Sequence, residues 1–101
     1  MYLIIWEFRV KRGQETAFRR AYGPTSEWVR LFRHGAGYLS TELLWDERDE
    51  LRYLTIDCWD SRAAYEAFHA TWQTAYYALD EASKSLTEQE TLMGLFTGVT
   101  D

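Results

Sequence analysis

Two side chains in this sequence are placed to move a proton. Asp57 lies in an alternating apolar run, Leu51 to Trp59, on the same face as Tyr53, Thr55 and Trp59. Strands disfavour aspartate. A carboxylate buried there is pushed towards its protonated form, and it can take the proton of an acidic hydroxyl brought against it. The structural alternative is a hydrogen bond from a nearby indole, hydroxyl or backbone N–H. His69 follows Phe68 on a helical stretch. It can reach a pocket rim as a second proton acceptor, or rest half-buried without a chemical role. The other histidine, His34, falls at a helix C-terminus, where the dipole favours a cation, and reads as structural. The two show no ligand spacing, so no metal site is expected.

Six aromatic residues, Trp6, Trp59, Tyr65, Phe68, Trp72 and Tyr76, form the candidate binding set. Stacked around a hollow they would suit a flat hydrophobic ligand; packed together they are simply the core of a small domain. Trp6 would narrow such a hollow or fill it. Trp28 and Phe32, beside the Gly23-Pro24 break, either gate its mouth or anchor a short helix. A Gly-rich phosphate loop, a Ser/His/Asp order and a Cys/His cluster are all absent, so a nucleotide-binding enzyme is not indicated.

The elements that must position these residues meet at Trp59-Asp60-Ser61, where the hydrophobic period changes from two to about 3.6. The strand before it, Leu51 to Trp59, supplies the floor of any pocket. The helix after it, Ser61 to about Leu79, supplies the lid, with Tyr65, Phe68, Trp72, Tyr76 and Leu79 at helical spacing and Asp60 or Ser61 as N-cap. A second short helix to Ser85 would follow. Upstream, Tyr2 to Val10 alternates as a strand with Tyr2, Ile4, Trp6, Phe8 and Val10 on one face. Gln14 to Tyr22 and Thr25 to Arg33 read as helices separated by Gly23-Pro24, with Pro24 in the first turn of the second. Tyr38 to Trp45 is a strand joined to the next by the charged Asp46–Glu50 connection, and Thr91 to Phe96 is the last strand. The order β-α-β-β-α-β is the ferredoxin-like plan: an α+β fold with one four-stranded antiparallel sheet and helices on one face.

At 101 residues the chain reads as one domain, 1–101. Aromatics make up 17% of it, which makes a compact core feasible despite the short length. Both faces of Leu3–Val10 and Leu54–Cys58 carry apolar residues, so the sheet is expected to be covered on both sides, one side by a second copy. Net charge is −5 with scattered Lys and Arg, which argues against nucleic acid as a partner. No apolar run is long enough to span a membrane. The apolar N-terminus lacks the flanks of a signal peptide, and the lone Cys58 forms no intramolecular disulfide, so a cytoplasmic setting is expected.

Three stretches share a further pattern: Val-Lys-Arg-Gly-Gln-Glu to Phe (Val10 to Phe18), Tyr-Gly-Pro through Trp-Val-Arg-Leu-Phe-Arg to Gly-Tyr-Leu (Tyr22 to Leu39), and Arg-Tyr-Leu-Thr-Ile-Asp-Cys-Trp-Asp-Ser to Tyr-Glu-Ala-Phe (Arg52 to Phe68). Together they resemble the antibiotic biosynthesis monooxygenase (ABM) domain family over roughly Leu3 to Phe96. The resemblance implies a dimeric α+β barrel in which two sheets pack face to face, with a ligand cavity in each subunit between the sheet and its own helices. Some members oxidise polycyclic phenols to quinones with molecular oxygen and neither metal nor flavin; others degrade haem; others are small cytoplasmic proteins. The haem-degrading branch uses an Asn on the first strand, a Trp on the last long helix and a His ten residues later. By register those positions hold Trp6, Phe68 and Ala78 here, and none matches. The resulting expectation is a homodimeric monooxygenase with no cofactor, acting on a small aromatic or phenolic molecule. Trp59, Tyr65 and Trp72 would position the substrate, and Asp57 or His69 would assist proton removal. The rival is a non-catalytic dimeric module that binds a hydrophobic metabolite or serves only as a structural partner.

Overall fold

Alternating burial along Tyr2–Val10 makes the first strand, β1. In the computed structural model, which describes residues 1–100, Tyr2, Ile4, Phe8 and Val10 are buried, and Leu3, Ile5, Glu7 and Arg9 are half-buried on the other face. Two short helices follow, α1 (Glu15–Tyr22) and α2 (Glu27–Phe32), then β2 (Tyr38–Trp45), β3 (Arg52–Trp59), the long α3 (Arg62–Ser83), a 3-10 turn (Lys84–Leu86) and β4 (Thr87–Thr97). The strands form one sheet in the order β2-β3-β1-β4, with every neighbouring pair antiparallel. This is the expected ferredoxin-like α+β architecture.

Local chemistry sets the helix boundaries. The Ser61 hydroxyl accepts the Ala64 N–H at 3.1 Å and starts α3. The buried Ser26 hydroxyl accepts the Val29 N–H at 3.3 Å, so α2 begins at Glu27, and Pro24 lies in the turn before it and not in its first turn. α3 runs past Leu79 to Ser83 and absorbs the expected second short helix, with a break at Trp72, where φ −108° and ψ 20° leave the helical region. β4 starts at Thr87, earlier than expected. An edge strand tolerates the polar Thr87–Glu90 segment, which pairs with Phe8–Val10 of β1.

The helices cover one face of the sheet through aromatic contacts. Phe18 of α1 stacks on Tyr22 and touches Phe8 and Tyr53. Trp59, fully buried at the end of β3, meets Phe32, Tyr38, Tyr65 and Phe68. Its indole N–H has no hydrogen-bond acceptor among the described residues. On the opposite face Leu3, Ile5, Leu54, Ile56 and Cys58 remain half-buried and Leu44 and Phe96 exposed. Arg52 lies at one end of that face, paired with Glu7 and Asp46. None of the described helices is long and apolar enough to cross a membrane.

Gly35, just past α2, lies against the Trp59 ring: a Cβ there would sit 2.8 Å from Trp59 Cζ3 and 3.0 Å from Phe68 Cδ1. Neither ring can give way in a filled core. Gly35→Ala should therefore lose about 1–3 kcal/mol of stability through overpacking, read as a lower urea midpoint with unchanged slope.

Candidate active site

A cavity of about 370 Å³ opens between the sheet and α3. Its floor is the inward face of the central strands, where Trp6 and Phe8 of β1 lie beside Thr55 and Asp57 of β3. Its lid comes from α3, which contributes Tyr65, His69, Tyr76, Tyr77 and Asp80. Tyr22, Trp28 and Phe32 close one side. Trp6 forms part of that floor and does not plug the space.

Asp57 is 7% exposed, and burial pushes its carboxyl up to about 6 against the opposing pull of a hydrogen bond from Thr41. Thr41 is its cross-strand partner on β2 and donates to Oδ1 at 2.7 Å. Thr41 Oγ1 in turn accepts the Tyr38 hydroxyl at 2.7 Å. In a regular strand residues three apart point to opposite faces. A register shift between Tyr38 and Ser40 adds one residue to β2 and brings both Tyr38 and Thr41 inward. The result is a relay, Tyr38 to Thr41 to Asp57, leading from a half-buried phenol to a buried carboxylate.

His69 is half-buried on the cavity wall, its ring 4.4 Å from that of Tyr76 and 5.1 Å from that of Tyr65. Burial lowers its pKa and favours the neutral imidazole. Burial likewise pushes the Tyr65 hydroxyl up to about 12, and those of Tyr22 and Tyr76 well above the ordinary value, so all three remain protonated donors.

The cavity thus gathers five of the eight expected site residues: Asp57, His69, Trp6, Tyr65 and Tyr76. Trp59 and Phe68 are not on its lining; both are buried behind it in the core. Trp72 is also off the lining and stacks on His34 at 4.5 Å. The expected α3 stripe divides in two, with Tyr65, His69, Tyr76 and Asp80 facing the cavity and Phe68, Trp72 and Leu79 packed against the core. Thr41, Thr55, Tyr22, Asp80 and Glu90 were not singled out by the sequence. Thr41 is concealed by the β2 register shift, and Glu90 by its place in a polar stretch that resembles a solvated surface.

The family model described as antibiotic biosynthesis monooxygenase matches residues 1–76. The chain belongs to the antibiotic biosynthesis monooxygenase family. No curated protein matches it in sequence. Among solved structures, a variant of SnoaB, a cofactor-independent oxygenase from Streptomyces nogalater, is 20% identical with a TM-score of 0.81, covering 99% of this chain and 94% of the other. A structure described as an antibiotic biosynthesis monooxygenase is 23% identical with a TM-score of 0.72, over 99% of this chain and 100% of the other. A variant of MhuD with two manganese protoporphyrin IX molecules bound per active site is 20% identical with a TM-score of 0.74, over 100% of this chain and 97% of the other. At these identities the likeness to the three structures is one of fold.

In this ABM chain the Asp57 carboxyl holds its proton more tightly in the folded state than its ordinary value of 3.8. Its contribution to stability is therefore complete below that value and is lost as pH rises through about 6. Asp57→Asn, which keeps the shape without the charge, should be more stable than the parent by about 2–3 kcal/mol at pH 7.5 and lose that advantage below pH 3.8. Urea titrations at the two pH values measure this.

Proposed function

We propose that this protein is a monooxygenase that oxidises a small aromatic or phenolic molecule with molecular oxygen and without a cofactor. The observation that carries the reading is a buried carboxylate on the floor of an aromatic cavity, Asp57 beneath Tyr65, His69 and Tyr76. A cavity of about 370 Å³ is large enough for a compact ring system. The likeness in fold to SnoaB supports the same class of reaction.

The chemistry asks little of the protein beyond proton transfer and exclusion of water. A phenol or an activated CH₂ loses a proton to Asp57, with His69 as the second acceptor on the wall. The electron-rich anion passes an electron to oxygen directly. At the end of the sequence a CH₂ has become C=O, or a phenol's C–OH and one ring C–H have become the two C=O groups of a quinone; either way one atom of O₂ has entered the product and the other leaves as water. Thr41, itself held by the Tyr38 hydroxyl, donates to Asp57 and keeps its carboxylate in position. Trp6, Tyr65 and Tyr76 supply the stacking surface, while Trp59 and Phe68 support Tyr65 from behind.

We infer that the working unit is a homodimer. The uncovered sheet face presents Leu3, Ile5, Leu54, Ile56 and Phe96, an apolar surface that a second copy would cover sheet to sheet. Light scattering at micromolar concentration should give twice the chain mass, and Ile56→Glu should give the monomer. A parent chain that is monomeric there overturns the inference.

Oxygen uptake by metal-stripped protein against a panel of anthrones, naphthols and catechols tests the activity. Uptake above the uncatalysed rate, with quinone formed, is expected. The rate should rise with pH through about 6 as the base ionises. Asp57→Asn should abolish that limb and lower the rate roughly a hundredfold or more. If Asp57→Asn and His69→Ala both left turnover unchanged, these roles would be wrong. Saturable binding without uptake would favour the non-catalytic module.

A further inference from the structure

The cavity has a second polar end, away from Asp57. Glu90 of β4 and Asp80 of α3 both line it. The strand register separates the two ends: Asp57 pairs with Ile4 of β1, and Glu90 with Phe8 of the same strand. Four residues of strand put them about 13 Å apart along β1, and they lie on opposite sides of it. Trp6 stands midway on the same face. A flat ligand over Trp6 therefore has one end at Asp57 and the other at Asp80 and Glu90.

Every ionisable side chain on this lining is an acid, apart from His69 and the tyrosines; neither lysine nor arginine lines it among the described residues. Glu90 is half-buried, and burial together with the neighbouring Asp80 pushes its carboxyl up. Thr87 donates weakly to its Oε1 at 3.4 Å. The nearby Lys84 is exposed and pairs with Glu81 at 2.8 Å. Lys84 offsets the acid charge at this end only in part, because burial and Asp80 outweigh its pull on Glu90.

We propose that Asp80 and Glu90 form a second recognition point that accepts a hydrogen bond from the far end of an aromatic ligand, given by a hydroxyl or an amine, and that the cavity rejects anionic aromatics. The proposal rests on the reading of this cavity as the ligand site. A ligand carboxylate would meet two half-buried protein carboxylates, and like charges at that range repel. A hydroxyl or amine gives these acids a donor in addition to the long Thr87 hydrogen bond to Glu90.

Equilibrium dialysis at pH 7.5 with naphthalene-2,6-diol, 6-amino-2-naphthol and 6-hydroxy-2-naphthoate tests this on the parent protein, Glu90→Gln and Asp80→Asn. The diol and the aminonaphthol should bind at least tenfold more tightly than the naphthoate. That gap should narrow at least threefold in Glu90→Gln, which keeps an acceptor without the charge, and also in Asp80→Asn. Equal binding of the naphthoate and the diol, a gap unchanged in both variants, or no saturable binding of any of the three overturns the proposal. Selective binding of these ligands, with no oxygen uptake from them or from any member of the anthrone, naphthol and catechol panel, overturns the oxygenase reading alone; uptake with unselective binding overturns this proposal alone.

Discussion

The architecture depends on holding one long helix clear of a sheet. Two groups of aromatic side chains bear α3. At its N-terminal end Trp59, wholly buried, carries Tyr65 and Phe68. Towards its C-terminal end Trp28 packs edge-on against Tyr76 and donates its indole N–H to Ser83 at 3.3 Å. Rings are stiff and wide, so helix and sheet cannot close on each other between these supports. The cavity lies in that gap. Smaller aliphatic residues at Trp59 and Trp28 would let α3 settle and the space disappear.

The same packing carries a cost in unfavourable electrostatics. Asp57 is buried with a hydrogen-bonded oxygen and no countercharge, and Glu90 is half-buried beside a second acid. Trp59 buries an N–H without an acceptor, a loss of about 1–3 kcal/mol for such a group. Stability alone would favour apolar residues at the two acidic positions. They are concentrated around one hollow, while the charged pairs elsewhere lie towards solvent, which is the distribution expected of a functional cleft.

The sequence made the fold plain because its periods are strong. Tyr2–Val10 and Arg52–Trp59 alternate cleanly, and Ser61 marks the start of α3. Asp57 was legible as the wrong residue type inside a strand. Other parts were concealed for identifiable reasons. A uniform helical period assigns Trp72 to the cavity with Tyr65, but the helix breaks at Trp72 itself. Periodicity also does not separate the helix face over a hollow from the adjacent face over the core, so Phe68 and His69 were close to interchangeable. Glu90 lies in a stretch with no apolar pattern, and only its pairing with Phe8 brings it inside.

The extra residue in β2 bears on how relatives of this chain are compared. Tyr38 and Thr41 share a face only because the strand gains one residue between them. In a relative with a regular β2, an ungapped alignment would match each of them to a neighbour of equal sequence position, yet one of the two matched side chains would point away from the helices. Insertion or deletion of a single codon at this point can connect or disconnect the buried acid from its hydroxyl chain while leaving the rest of the sheet in register. Divergence in proton handling among such chains is then to be sought in the length of this strand as well as in the identity of its residues.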